Sequence, residues 1–126
     1  MRQKNIFSQN NHTDTKEKGE KIMKNINSQE LKDLIRVSEV PVFVDFYADW
    51  CGPCRMLAPV LSALAEKYAD QAVFVKVNVD ESEEAAMAHG ISSIPNVIAF
   101  KGGKAVANQL GFVPEGALKA FIQSVL

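Results

Sequence analysis

The run Val42-Phe43-Val44-Asp45-Phe46-Tyr47 constrains this chain more than any other stretch. With one acid among large apolar and aromatic side chains it has no face to give to water, so it must be a central strand covered on both sides. Such a strand needs a layer of helices above it and another below. The residues that follow supply one of them. Leu57, Val60, Leu61, Leu64, Ala65 and Tyr68 recur at three- and four-residue intervals, the apolar stripe of a long amphipathic helix. Between strand and helix stands Cys51-Gly52-Pro53-Cys54, which holds both cysteines of the chain.

The rest of the sequence alternates in the same way. A short strand is expected near Ile22 to Ile26, followed by Asn27 as an N-cap with Glu30 three residues on, and by Leu31, Leu34 and Ile35 at helical spacing. Val73, Val75, Val77 and Val79 mark another strand, and Ser82 to Ala88 a short helix stopped by Gly90. Val97 to Phe100 and Ala105 to Leu110 read as an antiparallel hairpin turned by Gly102-Gly103. Pro59 interrupts the long helix and is expected to kink it, and Pro114 opens a last helix with Leu118, Phe121, Ile122 and Val125 on one face. This order predicts an α/β fold, a mixed central β-sheet flanked by helices on both faces.

One domain is expected over residues 22–126. Residues 1–21 carry Ile6 and Phe7 as their large apolar side chains after Met1, too few to offset the entropy of ordering, and are expected to form a disordered N-terminal extension. The 14 basic and 15 acidic residues leave a net charge of −1, with no surplus to hold a nucleic acid or an anionic membrane. No apolar run approaches the roughly 18 residues of a membrane span, and the N-terminus lacks a secretory apolar segment, so a cytoplasmic protein is expected.

In that setting the cysteine pair points to chemistry. A structural bridge between residues three apart would close a very small loop and remove little unfolded-state entropy. Zinc needs about four ligands, and the two histidines, His12 and His89, lie far from the pair in sequence. A strand that delivers its end into the first turn of a helix, by contrast, sets Cys51 among free backbone N–H groups that favour a thiolate. A second thiol three residues on can resolve a mixed disulfide. Asp45, an acid within an apolar strand, is either a satisfied core carboxylate or a group whose burial raises its pKa toward neutrality. Trp50 reads as a core aromatic or as part of a surface around Cys51, and the Ile94-Pro95 bond read from sequence alone is trans.

The stretch from Val44 to Arg55 resembles the active site of thioredoxins. The similarity continues from about Ile22 to Leu126 through Asp45, Pro59, Lys76, Asn78, Asp80, Ile94-Pro95 and Gly111. The resemblance implies a thioredoxin fold and a protein-disulfide reductase that works by dithiol–disulfide exchange. Cys51 would attack and Cys54 would resolve, with Asp45 assisting deprotonation of Cys54. Gly52, Pro53 and Lys76 would tune the site. Trp50, Ile94, a cis Pro95 and Gly111 would form the rim that binds an extended substrate chain. It further implies disulfide-containing client proteins, an NADPH-dependent thioredoxin reductase as electron donor, a monomer, and no cofactor or metal bound to the chain itself. Three positions depart from the commonest family pattern: Tyr47 where Trp is usual, Asn96 where Thr follows the proline, and Phe112 after Gly111. Two other readings of the resemblance stay open. One is an exported oxidant or isomerase on the same fold, against which stands Gly52-Pro53 in place of a His before the second cysteine. The other is a binding module that uses this surface for assembly without redox turnover.

Overall fold

Side chains alternate across a strand, and this alternation divides the core of the protein into two clusters. The computed structural model describes residues 23–126, so the extension expected over residues 1–21 and Ile22 lie outside the described residues. The five strands are β1 (Lys24–Asn25), β2 (Val42–Tyr47), β3 (Val73–Asn78), β4 (Asn96–Lys101) and β5 (Lys104–Leu110). They form one sheet in the order β1-β3-β2-β4-β5. β1 and β2 run parallel to β3, whereas β4 is antiparallel to both β2 and β5, so the sheet is mixed as expected. The helices are α1 (Ser28–Val37), α2 (Gly52–Lys67), α3 (Glu83–Ala88) and α4 (Glu115–Val125).

On one face Phe43, Phe74, Val97 and Ala99 pack against Leu57, Leu61 and Leu64 of α2 and Leu118 and Ile122 of α4. Phe43 stacks on Phe74 with ring centroids 4.9 Å apart. On the other face Val42, Val44, Phe46, Val75 and Val77 meet Leu31 and Leu34 of α1 and Ala85 of α3. Each fully buried Leu or Phe contributes about 1.5–3 kcal/mol relative to exposure, so two covered faces hold the sheet without help from a disulfide framework. The period of two places Asp45 on the same face as Phe43, under α2. The odd register of one acid thus decides which helix it lies beneath.

Local rules account for the boundaries. Asn27 caps α1: its Oδ1 accepts from the Glu30 N–H at 2.8 Å, and the Glu30 carboxylate accepts from the Asn27 N–H at 2.9 Å. Entry into that box cuts β1 to two residues, shorter than the strand expected near Ile22 to Ile26, and Met23 and Ile26 fill the two clusters. β3 ends at Asn78, before Val79, because the Asn78 Oδ1 accepts from the Asp80 N–H at 2.8 Å and turns the chain. Pro114 caps α4 with extended backbone (ψ 168°) and does not occupy its first turn; its carbonyl accepts from the Leu118 N–H at 3.1 Å. The hairpin turn uses φ of 62° at Gly102 and 82° at Gly103, the paired positive values that a two-residue turn between twisted strands requires.

Candidate active site

β2 ends at Tyr47, and the chain turns through Ala48, whose carbonyl accepts from the Cys51 N–H at 3.2 Å. Cys51 is the N-cap of α2. Its sulfur accepts from the Cys54 N–H at 3.2 Å, taking the place that a Ser or Asp oxygen fills at an ordinary cap. Gly52 and Pro53 occupy the first two helical positions, and Pro53 removes an N–H that would have no partner there. Cys51 and Cys54 form a disulfide, with Cα atoms 5.2 Å apart. Once the pair is reduced, a sulfur that accepts from the free N–H groups of a helix is favoured as the thiolate.

Overall exposure does not separate the two cysteines, which are 5% and 3% exposed. Their surroundings do. The Cys51 sulfur lies 3.9 Å from the carbonyl oxygen of Ile94, and the Ile94–Pro95 bond is cis. The Pro95 carbonyl in turn accepts from the Gly111 N–H at 2.7 Å, with Gly111 at a φ of 83°. Ile94, Pro95 and Gly111 are thereby brought together on the Cys51 side. Trp50 is 68% exposed and is no core aromatic; its Nε1 donates to Asp80 Oδ2 at 2.8 Å. Of the three departures, Asn96 is buried and accepts from the Asn108 amide at 3.2 Å, whereas Phe112 stands on the surface next to Gly111.

Cys54 lines a cleft of about 180 Å³ together with Asp45, Tyr47, Asp49, Arg55 and Lys76. Asp45 is 4% exposed, and its Oδ1 has no hydrogen-bond partner among the described residues. Burial pushes its pKa up to about 7, against the pull of the Lys76 ammonium in the opposite direction. Lys76 pairs with Asp45 across β2 and β3. Arg55 holds the near edge of the turn, its Nη1 donating to the Asp49 carbonyl at 2.8 Å. Sequence reasoning overlooked Asp49, Arg55 and Tyr47 as walls of this cleft and Asp80 as the partner of Trp50. The single local signal was the closeness of Arg55 and Asp49 to the cysteines.

Residues 22–124 match the family model described as Thioredoxin. The chain belongs to the thioredoxin family. It is 51% identical over 86 residues to the thioredoxin of Alicyclobacillus acidocaldarius subsp. acidocaldarius, covering 68% of this chain and 82% of that one. It is 48% identical over 87 residues to thioredoxin 1 of Synechococcus elongatus, covering 69% and 81%. It is also 43% identical over 101 residues to a chloroplastic M-type thioredoxin of Chlamydomonas reinhardtii, covering 80% and 72%. Family membership together with the bonded pair Cys51–Cys54 makes the chain a thiol–disulfide oxidoreductase, a protein-disulfide reductase of the thioredoxin type. Its partners are proteins that carry disulfides and, as is usual for thioredoxins, a reductase. Among the described residues no helix is long and apolar enough to cross a membrane.

Proposed function

We propose that the two cysteines divide the reaction between the two sides of the α2 terminus. The Cys51 thiolate attacks one sulfur of a client disulfide, that S–S bond breaks, and a mixed disulfide forms as the first client thiolate leaves. Asp45 as carboxylate takes the proton of Cys54. The Cys54 thiolate then attacks the Cys51 sulfur, the mixed disulfide breaks, and the second client sulfur leaves and is protonated. The client gains two electrons and the Cys51–Cys54 disulfide holds the oxidising equivalent. The observation that carries this reading is the different surroundings of the two cysteines, Cys51 with its sulfur 3.9 Å from the Ile94 carbonyl oxygen and Cys54 lining the cleft with Asp45.

Trp50, Ile94, Pro95 and Gly111 serve as the client-binding rim. The backbone around the cis proline pairs with an extended client segment, recognition that is tolerant of side chains and suits many clients. Gly52 and Pro53 shape the helix start, and Lys76 tunes Asp45. Electrons return from an NADPH-dependent thioredoxin reductase to a monomeric domain spanning residues 22–126. A reductase that must remain dithiol between turnovers belongs in a reducing compartment, which favours the cytoplasm. Equilibrating the Cys51–Cys54 couple with glutathione tests the direction of the reaction. A couple more reducing than glutathione is expected, and a couple more oxidising than glutathione would instead make the protein an oxidant of its clients.

A further inference from the structure

On β2 the side chains of Asp45 and Tyr47 point to the same side of the sheet, two residues apart, and across from them on β3 stand Lys76 and Asn78 in matching register. Lys76 therefore sits opposite Asp45 and diagonal to Tyr47. Its Nζ lies 5.3 Å from the centre of the Tyr47 ring, within the range over which a ring face attracts an ammonium. Lys76 makes no ion pair with a carboxylate among the described residues, and both side chains line the cleft that holds Asp45 and Cys54. Burial pushes the Tyr47 phenol pKa up, and the Asn78 side chain on the neighbouring strand acts against that rise.

Resting on the role given to Asp45 above, we propose that Tyr47 is a positioning residue for disulfide exchange: its ring holds the Lys76 ammonium beside Asp45 and so sets the pH at which Asp45 can accept the Cys54 proton. Lysine is a flexible, strongly hydrated point charge that leaves a crowded cleft for water when nothing retains it. The charged groups around Asp45 are Lys76 from β3, Asp49 from the turn, and Arg55 from α2; Cys54 of α2 and the Tyr47 phenol are the other titratable neighbours, and β4 presents the uncharged Val97. Arg55 already donates to a backbone carbonyl. Lys76 is thus the mobile charge whose position a neighbour can decide. A cation held close favours the carboxylate, whereas a cation released to solvent lets burial dominate.

The test is a comparison of Tyr47→Phe and Tyr47→Leu in the full chain, each alone and combined with Lys76→Met, following the Asp45 carboxyl carbon by NMR in the oxidised protein. Tyr47→Leu is expected to move the Asp45 titration up by about 0.5 in pH, while Tyr47→Phe, which keeps a ring face, stays near the parent. In the Lys76→Met background the Leu substitution should have no further effect. An equal upward move with and without Lys76 would mean that Tyr47 acts through burial alone and would overturn the proposal, as would an unmoved or downward titration in Tyr47→Leu. The pH profile of Cys54 resolution separates this from the role of Asp45 itself. If the carboxyl titration moves as expected while the resolution rate does not follow it, the positioning by Tyr47 stands and the proton-acceptor role of Asp45 falls.

Discussion

In the reaction proposed for it, Asp45 would weaken the fold while serving its chemistry. Its ordinary pKa of 3.8 rises to about 7 because burial disfavours the carboxylate more than Lys76 supports it. Between those values the folded protein holds a proton that the unfolded chain does not. The associated stability is fully present below pH 3.8 and is lost as pH rises through about 7. In urea unfolding of the oxidised protein, Asp45→Asn should therefore gain on the parent from pH 4 to pH 8, by roughly 4 kcal/mol at most. A difference that stays flat over that interval would mean the carboxyl titrates alike in both states. Activity should move the other way. Resolution by Cys54 in Asp45→Asn should slow by about a hundredfold or more at neutral pH and recover as bulk base takes over, which single-turnover kinetics across pH would reveal. The acid was legible in the sequence because it breaks an apolar run. The proximity of Tyr47 to Lys76 was not, since it depends on the register between two strands separated by a whole helix.

The elements were the most readable level. The apolar run of β2, the stripe on α2 and the Gly102-Gly103 turn each follow from local periodicity or local conformational preference, and local patterns need no knowledge of partners. Boundaries escaped where a side chain competes with the backbone. Asn78 ends β3 one residue before Val79 by bonding the Asp80 N–H, and Pro114 acts as a cap although its ring would equally suit the first turn. The Asn27–Glu30 box was visible as a spacing, and its worth can be measured. Asn27→Ala removes the acceptor for the Glu30 N–H and should lower unfolding free energy by about 1 kcal/mol with no change in exchange rate, because α1 lies on the face away from Asp45. A loss of activity equal to the loss of stability would show that α1 is coupled to the site.

At the scale of the whole molecule, the sheet's two faces explain why chemistry gathers at one end of it. α2 must cover the face that carries Phe43 and Asp45, so its N-terminus falls beside the ends of β2 and β4, where the cis proline and the cysteines meet. Met23 already fills part of that face, being 4% exposed. Removal of residues 1–21 should accordingly leave the melting temperature and the rate of insulin-type disulfide reduction at parental values, whereas a truncation that also takes Met23 should lower the first. A fall in melting temperature on removing residues 1–21 alone would give that segment a structural part. The approach of Ile94, Pro95 and Gly111 to Cys51 was expected through resemblance more than through physics, because the Pro95 carbonyl and the Gly111 N–H meet by topology that no local pattern encodes. Trapping measures the division of labour between the two sulfurs directly. Cys54→Ser and Cys51→Ser proteins are each incubated with disulfide-containing clients, and covalent adducts are quantified by mass spectrometry. Long-lived mixed disulfides are expected on Cys51 in the Cys54→Ser protein and few adducts in the Cys51→Ser protein. Preferential trapping on Cys54 in the Cys51→Ser protein would contradict this division.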